Sequence, residues 1–133
     1  AALVTENKTL CFPASADSIP TSLGQEDHVS MGSISGRKLN NVIDNLEYIL
    51  AIELMTACQA IEFRRPLKSS AILEFAHDYV REFVSFAEED RIFADDVVRI
   101  KNIISDYSFV NKVNEFAETN GVKLNEGFET FAI

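Results

Sequence analysis

Residues 25–28 of this 133-residue sequence read Gln-Glu-Asp-His. An amide, two carboxylates and an imidazole within four positions can hold a polar substrate, act as an acid and base pair, or ligate a metal. The metal option is the weakest, because adjacent side chains in an irregular segment rarely converge on one ion. No second His-bearing motif accompanies them; the other histidine, His77, belongs to a separate helical pattern among Ala76, Asp78 and Tyr79. A fourth option needs no chemistry: such groups commonly cap a helix and satisfy loop backbone.

Other candidates have blander readings. Glu53 interrupts an apolar helical pattern, which predicts a buried carboxylate paired with an arginine from a packing neighbour. Arg64 and Arg65 fall at a helix end, where they complement the negative end of the dipole. Phe75, Tyr79, Phe83 and Phe86 keep a helical spacing that burial alone explains.

The elements that must position residues 25–28 follow from the breakers and the periodicity. Residues 11–35 contain Pro13, Pro20, Gly24 and Gly32 and show no consistent apolar period, predicting a long loop with one short helical turn. Loops of this length in compact domains are usually functional or disordered. Residues 37–65 then hold neither Gly nor Pro, and Pro66 stops the run. The spacing predicts one helix of about eight turns. Its first half is amphipathic, with Leu39, Val42, Ile43, Leu46, Ile49 and Leu50 opposed to Lys38, Asn41 and Asn45. Its second half, through Leu54, Met55, Cys58 and Ile61, is apolar almost all round, as befits a bundle shared with other chain.

Three shorter helices complete the pattern. Ser69 or Ser70 caps one whose stripe from Ile72 to Ala87 ends near Asp90; Asp95 caps one carrying Val98, Ile100, Ile103 and Ile104. Ser108 opens the last, through Val110, Val113, Phe116 and Ala117, and Asn120-Gly121 ends it with a left-handed cap. The fold class expected is all-α.

Composition bounds the function. A chain of this length builds one core, and 47% hydrophobic with 25% charged residues places it among soluble globular domains. A net charge of −9 with twelve basic residues argues against nucleic acid, which needs clustered cations. The most apolar window, 46–61, is broken by Glu47, Glu53, Thr56 and Gln59 and fails as a membrane span. Cys11 and Cys58 lack companions at metal or redox spacing and are expected as reduced, intracellular thiols. The start shows neither an initiator Met nor a secretory signal and looks like the middle of something longer, and the compartment expected is the cytoplasm.

The run ENKTLCFPASADSIPTSLGQEDHVSMG, followed by RKL and by LAIELMTACQAIEFRRPLKSS, resembles the C-terminal part of the histidine ammonia-lyases, within the aromatic amino acid lyase family. The resemblance covers about residues 6–91, continues loosely to 104, and is most specific at QEDHVSM (25–31) and PAS.DSIPTS (13–22). It implies nonoxidative elimination of ammonia from L-histidine to give trans-urocanate, in histidine degradation. The resemblance implies that the electrophile is a methylidene-imidazolone (MIO) group made from an internal Ala-Ser-Gly; no ordinary side chain is electrophilic, so a cofactor has to supply that function. It implies that Glu26 meets the substrate imidazole as the catalytic carboxylate, with Gln25 and His28 as supporting groups, and that no metal takes part. A carboxylate accepting the ring N–H favours histidine over a phenyl side chain.

Two departures stand out. The family pattern has Asn immediately before the Gln, and this chain has Gly24, expected to loosen the loop. No Ala-Ser-Gly occurs in the 133 residues, so the chain alone is expected to be inactive and to need the remaining N-terminal part of a lyase. The resemblance also places the long helix in a bundle at the centre of a homotetramer. The expected organisation is an active-site loop segment (1–35), a long core helix (36–66) and a C-terminal helical region (67–133). Other readings are a noncatalytic helical oligomerisation module, and a lyase or aminomutase for another aromatic amino acid.

Overall fold

The computed structural model describes residues 1–13, 19–26 and 32–124. These form five α-helices: α1 (Ala2–Leu10), α2 (Gly32–Glu62), α3 (Ala71–Arg81), α4 (Ala94–Ser105) and α5 (Ser108–Thr119), with a short 3-10 turn at Ser22–Gly24. The all-α class read from the periodicity is the class observed.

The chain divides into two compact units, Ala1–Leu50 and Ala51–Ile133, with the boundary inside α2. In the first unit, α1 is an element that the sequence did not signal; it has no side-chain cap. It is held to the first half of α2 by polar contacts: Asn45 Nδ2 donates to Asn7 Oδ1 (2.9 Å) and to Glu6 Oε2 (3.3 Å), and Lys38 Nζ donates to the Phe12 carbonyl. None of the described residues in this unit is buried. Leu39, Ile43, Leu46 and Leu50 are each 41–57% exposed.

Helix α2 opens at Gly32 rather than after Gly36. Glycine and serine cost a helix only about 0.5–1 kcal/mol each, so the strong pattern that follows carries the helix back through Gly36. At its other end the chain leaves the helix after Glu62, and Arg64 and Arg65 N–H groups turn back onto the Ile61 and Glu62 carbonyls (2.9 and 3.2 Å).

The second unit contains the core. Ala51 and Cys58 of α2 pack with Val80, Val84, Ile100 and Ile103, flanked by Leu54, Met55, Tyr79, Val97, Ile104 and Phe109. Helix α5 packs on both α3 and α4, and Phe75 stacks on Phe116 with centroids 4.3 Å apart. Helix α3 ends at Arg81, not near Asp90. The stripe that suggested a longer helix is nonetheless used, because Phe83 meets Tyr79 edge-on (5.3 Å) and Phe86 meets Phe63 (5.7 Å). Ring contacts, not helical continuity or full burial, use those positions: Phe83 is exposed, and Phe75, Tyr79 and Phe86 are half-buried.

The capping of α4 also differs from expectation. Phe93 holds the N-cap position, while Asp95 and Asp96 lie in the first turn, where the dipole favours them. Asp96 is buried and bridges Arg91 (2.8 Å) and Arg99 (3.2 Å). Before α5, Tyr107 is left-handed and Asp106 Oδ1 accepts from the Ser108 N–H (2.9 Å); the Ser108 hydroxyl first, and then that N–H, hold the Asp106 carboxyl below the usual range. The far end closes as the sequence predicts: Gly121 has φ +63° and Val122 N–H reaches back to the Ala117 carbonyl at 2.8 Å.

Candidate functional site

The segment Thr-Ser-Leu-Gly-Gln-Glu reverses the chain within six residues. Thr21 is extended, then Ser22, Leu23 and Gly24 take φ values of +54°, +59° and +83°, and Gln25 returns to right-handed backbone. Three successive left-handed residues coil the chain back so that Glu26 faces Thr21 in an antiparallel bridge. The Thr21 N–H donates to the Glu26 carbonyl (2.8 Å), and the Thr21 carbonyl accepts from both Gly24 (3.0 Å) and Glu26 (3.3 Å). Left-handed backbone at a serine and a leucine is uncommon, and such strain persists where the surroundings over-determine it, often at functional sites.

Glu26 therefore stands on a pinned piece of backbone, and its side chain is exposed. Its Oε2 accepts a hydrogen bond from the Thr21 hydroxyl at 3.0 Å. Gln25 precedes it and is exposed. His28, with Asp27, lies outside the described residues. The loop was expected to hold one short turn of helix; Ser22–Gly24 is instead a tight turn with all three residues left-handed. Thr21 carries no signal of its own in the sequence; a threonine five residues before the glutamate, across a Ser-Leu-Gly turn, is the cue that could have singled it out.

Gly24 has a clear physical role. At φ +83° the position suits glycine and, next best, asparagine. No atom lies within 4 Å of where a Cβ would sit, so the backbone angle alone restricts the position. Glycine adopts this angle without steric cost.

Glu53 is exposed, not buried against an arginine, because it lies on a face of α2 away from the core residues Ala51 and Cys58. Glu62, at the end of the same helix, does meet arginine, at 3.5 Å from Arg65 and 3.6 Å from Arg81. Arg65 Nη1 pairs with Glu74 Oε2 at 2.6 Å, and the Ser69 N–H donates to Glu74 Oε1 at 2.7 Å. Those two partners, the backbone N–H first, hold the Glu74 carboxyl below its ordinary value. His77 is buried between Glu62 (Nε2 to Oε1, 2.9 Å) and Asp78 (Nδ1 to Oδ1, 3.1 Å). The Glu62 contact has ion-pair distance without hydrogen-bond alignment. Arg64 is exposed.

Both cysteines are free thiols, Cys11 exposed and Cys58 buried. Among the described residues no three His, Cys, Asp or Glu side chains group as metal ligands, and no helix is long and apolar enough to cross a membrane. The second unit carries a cleft of about 520 Å³ lined by Met55, Gln59, Phe63, Arg81, Val84 and Phe93 among others.

These features define an all-helical protein in which a short left-handed turn presents a carboxylate ahead of a long helix. Such a chain has known relatives. The family model for aromatic amino acid lyase matches residues 1–82, and the chain belongs to that family. It is 48% identical over 114 residues to a histidine ammonia-lyase of Desulfotalea psychrophila, a match covering 86% of this chain and 22% of that protein. A crystal structure of histidine ammonia-lyase from Trypanosoma cruzi superimposes with a TM-score of 0.82 at 44% identity, over 86% of this chain and 23% of that one. Tyrosine aminomutase from Streptomyces globisporus superimposes with a TM-score of 0.79 at 34% identity, over 86% and 22%. The chain thus spans about 22% of the length of the curated relative it matches.

Proposed function

We propose that this chain is the C-terminal portion of a histidine ammonia-lyase, and that the complete enzyme releases ammonia from L-histidine to give trans-urocanate in histidine catabolism. The observation that carries the proposal is Glu26: an exposed carboxylate, fixed by backbone and side-chain hydrogen bonds, within the family's QED run. Identity also leans this way, at 48% and 44% to proteins called histidine ammonia-lyase against 34% to a tyrosine aminomutase.

In the proposed site the Glu26 carboxylate accepts the imidazole N–H of the substrate. A substrate lacking that N–H leaves this hydrogen bond unmade, which gives the preference for histidine. Gln25 and His28 are assigned as supporting groups next to it. Family membership implies a methylidene-imidazolone electrophile, which activates the amino group as a leaving group. Its Ala-Ser-Gly precursor is absent from this sequence, so the residues here do not fit it and the remaining N-terminal portion of the lyase must supply it. This chain's contribution is binding and orientation of the substrate ring.

The proposed assembly is a cytoplasmic homotetramer. Leu39, Ile43, Leu46 and Leu50 support the association of helices within it, because their steps of four, three and four place them on one seam of α2, as in helices that pack on a partner helix. That same seam would serve a noncatalytic oligomerisation module. The two readings separate on activity: joined to the N-terminal portion, the chain yields urocanate from L-histidine, seen as its ultraviolet absorbance, whereas the chain alone yields none. Absence of turnover in a joined, folded protein contradicts the lyase reading.

A further inference from the structure

We infer that Thr21 is a positioning residue for Glu26, fixing the carboxylate so that the imidazole ring is held in one orientation. The inference rests on the reading of Glu26 as the ring-binding group. Three bonds converge from Thr21 on the same partner: its N–H and carbonyl engage the Glu26 backbone, and its hydroxyl donates to Oε2. Backbone and side chain of Glu26 are thereby referred to one residue.

The chemistry of threonine suits this task. Its β-branch restricts χ1, so a hydroxyl attached to fixed backbone points in one direction. Glutamate has three rotatable side-chain bonds, and an exposed one with no anchor samples many rotamers. The Thr21 bond selects one of them before a ligand arrives, and pre-organisation lowers the cost of binding. The donor reaches one oxygen only, and a carboxylate offers two oxygens and about four lone-pair sites. The geometry is therefore compatible with an N–H accepted at the same carboxylate.

The left-handed turn serves the same end. Ser22, Leu23 and Gly24 are all at positive φ, which brings Glu26 back within reach of a hydroxyl five residues earlier. Leu23, at the tip, is fully exposed and makes no packing contribution to that closure. The closure is carried by the hydrogen bonds between Thr21 and Glu26 and those within the turn.

The test is a double-mutant cycle in the complete lyase carrying this segment, with Thr21→Val, Thr21→Ser and Glu26→Gln. Two quantities are read: kcat/KM for L-histidine, and the Kd of imidazolepropionate, an unreactive ligand with the same ring. Removing the hydroxyl is expected to weaken both by about tenfold, the loss of a hydrogen bond to a charged group. Thr21→Ser is expected to stay within about threefold of the parent, since it keeps the donor. In the Glu26→Gln background Thr21→Val is expected to cost less than about twofold, because residues acting as a unit are not additive. A purely structural role for Thr21 predicts multiplied effects and a lowered melting temperature instead.

The inference is overturned if Thr21→Val matches the parent, if Thr21→Ser is as impaired as Thr21→Val, or if the two effects multiply. Glu26→Gln with full binding and turnover removes the reading of Glu26 itself, and this inference with it; that result is visible without any Thr21 variant. Should valine prevent folding, Thr21→Ala removes the same hydroxyl with less bulk and is carried through the same cycle.

Discussion

His77 and Glu62 join α3 to the end of α2: the buried imidazole Nε2 stands 2.9 Å from Glu62 Oε1. Glu62 also faces Arg65 and Arg81, so one carboxylate answers three cationic or polar side chains. Removing that charge leaves the arginines without their shared counter-ion in a partly buried setting. Glu62→Gln is expected to lower stability by about 2 kcal/mol, read from urea unfolding. A loss below about 0.5 kcal/mol would mean the cluster behaves as solvated surface pairs.

Glu74 sets an acid limit on the same region. Its carboxyl is held below the ordinary value by the Ser69 N–H and by Arg65. A depressed folded-state value contributes stability above the unfolded-state value, and that contribution is lost as pH falls through the folded-state value. Unfolding free energy is therefore expected to decline on acidification below the ordinary carboxylate range, and Glu74→Gln is expected to flatten that decline. An unchanged acid slope in the variant would show that Glu74 does not carry it.

The two thiols should react differently. Cys58 is 3% exposed and burial pushes its thiol up, whereas Cys11 is exposed. A thiol reagent near neutral pH is expected to label Cys11 in the folded chain and to reach Cys58 only after denaturant is added. Equal labelling of both without denaturant would contradict the described core.

Gly24 gives a prediction about backbone alone. Its φ of +83° excludes branched side chains, while open space surrounds the position. In the complete lyase Gly24→Asn is expected to keep activity within about threefold, and Gly24→Val to cost about tenfold or more, the left-handed penalty of 1–2 kcal/mol. Equal behaviour of the two variants in urocanate formation would show that φ does not govern this turn.

Much of the helical framework was legible in the sequence, because apolar periodicity and the breakers reflect burial directly. Asn120 and Gly121 marked an end that the structure keeps, whereas α2 ends at Glu62, before the Arg65 that the sequence suggested. Helix α1 was missed because its hold on the rest is polar, through Asn7 and Asn45, and leaves no apolar period. The third helix was drawn too long because Phe83 and Phe86 are packed by a turn rather than by a helix. Glu53 misled for a related reason: an apolar helix suggested burial on every side, whereas only Ala51 and Cys58 of α2 are buried within this chain.

At the candidate site, residue types were visible and geometry was not. Glu26 was marked by its neighbours in the QED run, but nothing in sequence shows three consecutive left-handed residues, two of them not glycine. The Thr21 to Glu26 bond follows from that coil, since only the reversal brings the two side chains together.

The central claim is that Glu26 receives the imidazole of the substrate. Its most direct test is steady-state urocanate formation by the complete lyase bearing Glu26→Gln. The account predicts a fall in kcat/KM for L-histidine of about a hundredfold, as expected when a charge-assisted hydrogen bond to the substrate is lost. Turnover within about threefold of the parent would contradict it.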